Sequence, residues 1–164
     1  MRIEKAVRED LCNIADVYRA AREFMRMTGN LTQWKDGYPS ESVMLSDIEN
    51  GQLFKITDGR TLLGVFCFFI GSEPTYEKIY NGEWQCADPC GVIHRVAVSD
   101  AARGKGVSGK IFDYCASVTP YLRIDTHRDN APMRRALLRF GFVERGIIYL
   151  ASGDERIAFD YRRI

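Results

Sequence analysis

The feature that most constrains this chain is a glycine-rich turn between a predicted strand and a predicted helix. The apolar run Val92–Ser99 predicts a strand, and the helical spacing of Lys105–Val118 predicts a helix. Between them, Arg103–Lys110 reads RGKGVSGK and holds three glycines and three cations. The first amides of a helix have no internal partners and attract anions, and glycine lets the backbone approach a phosphate closely. The turn therefore predicts a pyrophosphate site.

A nucleotide-binding phosphate loop is one alternative for this turn. Gly104, Gly109 and Lys110 match the spacing of that motif. The next residue is Ile111, so the Ser or Thr hydroxyl that would hold Mg²⁺ is absent. This departure argues against a phosphotransferase. A plain strand-to-helix turn, in which the glycines only provide tightness, is the other alternative.

Hydrophobic periodicity along the chain predicts elements in the order β-α-α-β-β-β-α-β-α-β-β. The predicted strands cover residues 2–7, 53–57, 61–70, 92–99, 121–127, 142–150 and 155–161, and the predicted helices cover 10–27, 40–50, 105–118 and 130–140. A long irregular segment, 71–91, separates the third and fourth strands. This order predicts a mixed α/β (or α+β) sheet covered by helices, in a single domain over residues 1–164.

Charge and hydropathy argue against several classes of partner. The chain has 23 basic and 22 acidic residues, so it lacks the basic face that nucleic acid requires. The N-terminus lacks the apolar core of a signal peptide, and the longest apolar run, Leu62–Ile70, is too short to cross a bilayer. Cys86 and Cys90 lack two further metal ligands, and we predict no metal. We expect a cytoplasmic protein with no nucleic-acid or membrane partner.

Two motifs resemble the GCN5-related N-acetyltransferase (GNAT) family. Arg103-x-x-Gly106-x-Ser108 is similar to the R-x-x-G-x-G/A signature of that family, although the family prefers Gly or Ala at the last position. Asn130–Phe142, an Asn-opened helix that ends in Gly-Phe, is also typical of the family, and the element order matches nearly the whole chain. The resemblance implies a twisted central mixed sheet that splays between its fourth and fifth strands, with acetyl-CoA in the gap as co-substrate.

The resemblance also implies a cofactor site made largely of main-chain groups. The main chain of residues 96–98 would pair with the pantetheine arm, and amides of residues 103–109 would bind the pyrophosphate. Residues 130 and 133 would contact the cofactor from the other side of the gap. The implied cofactor-binding residues are Val96, Ala97, Val98, Arg103, Gly104, Lys105, Gly106, Val107, Ser108, Gly109, Asn130 and Met133.

Acetylation of an amine needs a base to remove a proton and a donor to stabilise the oxyanion. A backbone N–H near Val96 would serve as the donor. His94, two residues earlier, is our first candidate for the base because imidazoles titrate near neutrality. Asp125 and His127 share one face of their strand and could relay a proton, bind the amine or simply pair with each other.

Aromatic residues in two segments predict a wall for the acceptor amine. Trp34 precedes the second helix and Trp84 lies in the long irregular segment, and aromatic faces attract cations. These side chains could equally cover the edge of the core. Glu83, beside Trp84, is a further candidate base. Leu137 takes the place where many family members carry the Tyr that protonates the leaving thiolate, so the general acid is not identified.

The sequence thus predicts an N-acetyltransferase that transfers the acetyl group of acetyl-CoA to a primary amine of a small molecule or peptide by direct attack. The alternative is a non-catalytic acyl-CoA-binding or regulatory module, for which the loss of the Tyr acid at Leu137 argues. Because dimers are common among proteins of this kind, a homodimer is an open expectation.

Overall fold

The computed structural model describes residues 1–163 and contains a seven-stranded sheet. The strands are β1 (Arg2–Lys5), β2 (Leu53–Asp58), β3 (Thr61–Ile70), β4 (Gly91–Val98), β5 (Tyr121–Thr126), β6 (Val143–Tyr149) and β7 (Glu155–Arg162). The helices are α1 (Leu11–Met27), α2 (Glu41–Glu49), α3 (Val107–Val118) and α4 (Ala131–Phe140). The predicted element order is confirmed. β1 ends earlier than predicted because the Asp10 carboxylate accepts the Val7 amide at 2.9 Å and turns the chain toward α1.

The sheet is mixed, and its one parallel junction is incomplete. The strand order is β1-β2-β3-β4-β5-β7-β6, and β4 and β5 are the parallel neighbours. β4 pairs with β5 only from Gly91 to Ile93, so the stretch from His94 to Val98 departs from its neighbour. The predicted splay between the fourth and fifth strands is therefore confirmed, and it leaves an open gap in the middle of the sheet.

A bulge in β4 lies where the strand leaves β5. In the pairing with β3, His94 lies opposite Cys67 and Ala97 lies opposite Val65, so two residues of β4 face one of β3. The extra residue is Arg95, whose backbone has a φ of 53°. A residue other than glycine rarely adopts this left-handed conformation, and bulges bend the strand that carries them.

Alternating side chains of the sheet make two hydrophobic cores. Phe66 packs with Ile111 and Leu137, so α3 and α4 cover one face. Val65 packs with Ile14 and Met44, so α1 and α2 cover the other face, as the period of two along a strand requires.

Among residues 1–163, the helices lack the combination of length and apolar composition that a membrane span needs.

The long segment between β3 and β4 is anchored to the sheet. Tyr80 exchanges two backbone hydrogen bonds with Ile147 of β6, each at 2.8 Å. Gly82 lies so close to β6 that a Cβ there would lie 1.8 Å from the carbonyl oxygen of Arg145. Tyr76 is buried against β5 and β7 in a third apolar cluster. The segment therefore delivers its first residues, including Glu73, to a fixed place beside the gap.

Candidate active site

A cavity of about 430 Å³ lies at the gap between β4 and β5, and we call it the turn cavity. It is bounded by β4, the glycine-rich turn, α1 and α4. Its lining includes most of the predicted cofactor-binding residues: Val96, Ala97, Val98, Arg103, Gly104, Gly106, Val107, Ser108, Gly109, Asn130 and Met133. Lys105 is exposed and does not line it.

The glycine-rich turn presents unpaired amides to this cavity. Gly104 and Gly106 have φ values of 75° and 76°, which favour glycine. The Lys110 amide donates to the Gly106 carbonyl, and among residues 1–163 the three preceding amides, 107–109, have no backbone acceptor. Nothing lies within 4 Å of the position a Cβ would take at Gly106. Unpaired amides and open space at the start of α3 fit an anionic group such as a pyrophosphate.

The Arg103 side chain fastens the turn to α1. Its guanidinium pairs with Asp100, donates to the Ala20 carbonyl at 3.2 Å and lies 4.0 Å from the ring centre of Phe24. Arg103 is one of the three cations counted in the turn, and the structure commits its side chain to these contacts. Its main chain still lies in the predicted pyrophosphate segment.

A second cavity of about 860 Å³ opens beside the first, and we call it the His94 cavity. The two cavities share four lining residues: Met25, Val96, Asn130 and Met133. They therefore communicate where β4 leaves β5. Trp34 and Tyr38 line the His94 cavity, as do His94 and Asp125, so the structure brings several of the predicted residues to one place.

His94 lies between two carboxylates. Its Nε2 is 2.9 Å from Glu73 Oε2, and its Nδ1 is 3.7 Å from Asp125 Oδ1. The hydrogen bond from His94, with further bonds from Thr75, lowers the pKa of Glu73 to about 2 although burial opposes the shift. An ionised carboxylate only accepts hydrogen bonds, so Nε2 carries the proton. Nδ1 is then the basic nitrogen of the neutral ring, and it faces Asp125.

Asp125 is held by two further groups. The Tyr76 hydroxyl donates to Asp125 Oδ1 at 2.6 Å, and Arg156 Nε lies 3.9 Å from Oδ2. Burial, followed by the charge of Asp125, raises the pKa of Tyr76 well above its usual value, so this hydroxyl stays protonated. Two carboxylates, those of Glu73 and Asp125, lie at this end of the cavity with the single guanidinium of Arg156. This end of the cavity therefore favours a cation.

Among residues 1–163, no group of three or more His, Cys, Asp or Glu side chains is arranged to hold a metal ion. Glu73 and Asp125 lie at opposite ring nitrogens of His94, whereas a metal ion would bind one nitrogen only.

His127 lies just beyond β5 and outside the lining of either cavity. Its Nε2 is 3.2 Å from the Thr32 hydroxyl, and its Nδ1 is 3.5 Å from Asp129. Burial and the charge of Arg156 lower its pKa. Among the described residues His127 makes no ion pair with Asp125, so the pairing considered from strand alternation does not form.

Of the two tryptophans, Trp34 lines the His94 cavity, whereas Trp84 packs in the segment between β3 and β4. Trp34 packs edge-on against Tyr18 and Tyr38 and lines the His94 cavity. Glu83 is exposed, and neither it nor Trp84 lines a cavity. The indole of Trp84 donates to the Tyr76 carbonyl at 2.9 Å and is covered by a guanidinium from β5. Trp84 thus holds the segment that carries Glu73.

Asn130 joins the two cavities and uses both ends of its side chain. Its Oδ1 accepts the Met133 amide at 3.2 Å and caps α4, as its place before Pro132 suggests. Its Nδ2 donates to Gln33 Oε1 at 2.8 Å. The predicted contact between Asn130 and the cofactor must therefore coexist with these two bonds.

The lining of the His94 cavity includes polar side chains that the sequence analysis did not single out, among them Gln33, Glu73, Arg95 and Arg156. The sequence did contain a signal for two of them. Glu73 precedes Pro-Thr, where a carboxylate caps the short turn that follows. Arg156 directly precedes the apolar run Ile157–Phe159 of its strand and is buried, and a buried charge needs a partner.

Comparison with known proteins gives the same family. The family model described as Acetyltransferase (GNAT) family matches residues 13–142. A GNAT-family acetyltransferase from Streptococcus agalactiae is 27% identical, with a TM-score of 0.91 over 99% of this chain and 95% of that one. A putative acetyltransferase from Staphylococcus aureus is 20% identical, with a TM-score of 0.73 over 99% of each chain, and shares the fold.

No curated protein matches the sequence significantly. The family match nevertheless covers well over half of the chain and includes the glycine-rich turn, α3, β5 and α4. The resemblance drawn from the turn and from Asn130–Phe142 is therefore confirmed, as is an enzyme of the acyltransferase class. The chain belongs to the GNAT family of acetyltransferases.

Proposed function

We propose that the protein transfers the acetyl group of acetyl-CoA to a primary amine of a small molecule or peptide by direct attack. The observation that carries the proposal is the junction of the two cavities at Val96, with His94 two residues away on the same strand. A thioester that enters from one cavity and an amine that enters from the other would meet there. No covalent enzyme intermediate is needed, because the amine itself is the nucleophile.

Binding of acetyl-CoA in the turn cavity is supported by the donors that this cavity offers. Amides 107–109 would bind the pyrophosphate, since they have no backbone acceptor. The stretch Val96–Val98 has left β5, so its free edge can pair with the pantetheine arm as an added strand would. These groups fit the co-substrate without a metal ion.

The acceptor amine would bind as an ammonium beside His94. The Nδ1 of His94 and the Oδ1 of Asp125 are 3.7 Å apart, too far for a good direct hydrogen bond, and both are acceptors. The substrate ammonium would donate one N–H to each of these atoms. Transfer of the proton that faces Nδ1 leaves an imidazolium between two carboxylates and a neutral amine that can attack the thioester. The Val96 amide would stabilise the oxyanion.

The leaving thiolate needs no acid at position 137. Leu137 is fully buried in the core beneath α4. After attack, the former amine nitrogen carries a positive charge and an acidic proton. We propose that this proton passes to the departing sulfur, whose thiol has an ordinary pKa of about 8.5 and so leaves readily. Because the core needs an apolar side chain there, Leu137 is no argument against catalysis.

The identity of the amine stays a question for experiment. A ribosomal-protein-alanine N-acetyltransferase from Brucella melitensis has the same fold, at 15% identity and a TM-score of 0.65, which does not extend its acceptor to this chain. We also propose a cytoplasmic location, supported by the free state of all five cysteines. A homodimer stays an expectation.

A thiol-release screen tests the proposal. Purified protein, acetyl-CoA and a panel of amines are monitored for free CoA, and mass spectrometry confirms the acetylated product. The panel includes polyamines, aminoglycosides, amino acids and peptide N-termini. We expect CoA release that depends on at least one amine. Tight binding of CoA with no release from any amine would instead support the non-catalytic module.

A further inference from the structure

The bulge in β4 holds a residue in a costly conformation at the junction of the two cavities. Arg95 has a φ of 53° and lies between His94 and Val96. A left-handed conformation is costly for a residue with a Cβ, because the Cβ crowds the following carbonyl oxygen. Such strain persists only where neighbouring contacts impose it.

The side chain of Arg95 supplies the first of these contacts. Its Nε and Nη2 each lie 2.8 Å from an oxygen of Asp47, which makes a two-bond pair. Asp47 lies on α2 and is 6% exposed. Nη1 donates to the Tyr38 hydroxyl at 3.0 Å. A buried pair of this kind fixes geometry as well as charge, because the planar fork matches the carboxylate.

The main chain of Arg95 supplies the second contact. Its carbonyl accepts the Tyr18 hydroxyl at 3.2 Å, and Tyr18, on α1, is 1% exposed. In a trans peptide the carbonyl and the following amide point in opposite directions. A carbonyl held against Tyr18 therefore fixes the direction of the Val96 N–H.

We infer that Arg95, together with Asp47 and Tyr18, is a positioning device for the Val96 amide. The inference rests on the proposed function, in which that amide stabilises the oxyanion. Arg95 and its two partners touch no reacting atom in this scheme. They hold the backbone of residue 95 left-handed, and the donor at residue 96 is preorganised as a result.

A pair of double variants separates this role from a simple stabilising ion pair. Replacing Arg95 alone would leave the Asp47 carboxylate buried and unpaired, so both variants also carry Asp47→Asn. We expect Arg95→Ala/Asp47→Asn to lose roughly 100-fold in kcat, the cost of a small misplacement, with little change in the KM for acetyl-CoA. Arg95→Gly/Asp47→Asn should recover about tenfold, because glycine adopts a positive φ without strain.

A smaller change tests the main-chain contact, and a remote change provides the control. Tyr18→Phe removes one hydroxyl and should lower kcat by roughly tenfold. Asp10→Asn breaks the 2.8 Å ion pair between Asp10 and Lys55, neither of which lines a cavity. It should lower the melting temperature and leave kcat unchanged. Equal kcat losses in the Ala and Gly double variants, or a kcat loss in Asp10→Asn, would overturn the inference.

A readout independent of activity keeps this test separate from the proposed function. In isotope-labelled protein, a strong intra-residue NOE between HN and Hα reports a positive φ at residue 95. We expect this signal in the wild type and in Asp10→Asn, and its loss in Arg95→Ala/Asp47→Asn. Retention of the signal in that double variant overturns the inference even if the wild type acetylates no amine, a result that would reject the proposed function separately.

Discussion

The turn cavity and the His94 cavity meet at Val96, but one offers main-chain groups and the other offers side chains. The turn cavity offers main-chain amides at the start of α3, supplied by one run of eight residues, 103–110. The His94 cavity is made of side chains from separate segments, including Glu73 before β4, Asp125 on β5 and Arg156 on β7. Under the proposed function, the co-substrate that the family shares would be bound by local backbone geometry, whereas the acceptor would be selected by side chains that can vary.

The largest expected effect is on the binding of CoA in the turn cavity. Gly106→Trp should abolish CoA binding, because its side chain would fill the open space at Gly106 and must adopt a φ of 76°. Isothermal titration calorimetry with CoA measures the loss, and circular dichroism checks the fold. Gly59→Trp is the matched control, since Gly59 also has a positive φ and open space but lies in the β2–β3 turn. Unchanged affinity in Gly106→Trp would count against the pyrophosphate site.

The next largest effect is expected on the rate of acetyl transfer when His94 in the His94 cavity is replaced. His94→Gln should lower the rate of acetyl transfer at pH 7 by roughly 10²–10⁴-fold, the usual contribution of a general base. The loss should be smaller at pH 9, because an alkyl amine with a pKa of about 10 is neutral to a larger extent at that pH. Steady-state rates at the two pH values with one amine provide the measurement. An equal loss at both pH values would indicate that a residue other than His94 is the general base.

A third prediction concerns Glu73, which the sequence did not single out. The folded state lowers the pKa of this carboxyl from 4.5 to about 2, so the unfolded chain takes up the proton first as the pH falls. The stabilisation is therefore present above about pH 4.5 and is lost between about 4.5 and 2. Glu73→Gln should flatten the fall of the free energy of unfolding in this window, measured by urea denaturation.

Glu73→Gln should also lower kcat by roughly tenfold, less than loss of the base itself, because His94 keeps its ring but loses the charged acceptor that orients it. Glu77→Gln is the control, since Glu77 is exposed in the same segment. Parallel acid-denaturation curves for wild type and Glu73→Gln would contradict the assigned hydrogen bond between His94 and Glu73.

The smallest effect on activity is expected at Leu137. Leu137→Ala should lower the free energy of unfolding by about 2–5 kcal/mol through a cavity in the core, and should leave kcat unchanged. Thermal denaturation and steady-state kinetics at a temperature where the variant stays folded separate the two results. A large fall in kcat of fully folded protein would indicate that residue 137 takes part in catalysis.

Much of the fold could be predicted from the sequence, because its causes are local. The 3.6-residue and two-residue periods gave the order of the helices and strands, and the glycines at 104 and 106 marked a turn that presents amides. The helix that follows Asn130 was predicted from its cap, Pro132 and the closing Gly141. Each of these signals lies within one element or its boundary.

The candidate site was predicted in part. His94 and Asp125 were chosen separately, and the structure adds that they flank one another with Glu73 on the far side of the ring. Trp84 was chosen as an aromatic wall for the amine and Glu83 as a candidate base beside it, but both lie outside the two cavities, whereas Glu73 of the same segment lines one. An irregular segment has no period, so its sequence does not tell which carboxylate points inward.

The sequence by itself determined the family, the order of elements and the turn that presents unpaired amides, since backbone conformation and unpaired helix amides depend on neighbouring residues. Only the tertiary structure decided the chemistry of the His94 cavity. Its contacts join residues far apart in the chain: Glu73 and His94 are 21 positions apart, Arg95 and Asp47 are 48 apart, and Asn130 and Gln33 are 97 apart. Such pairs form only when packing against both faces of the sheet brings their elements together.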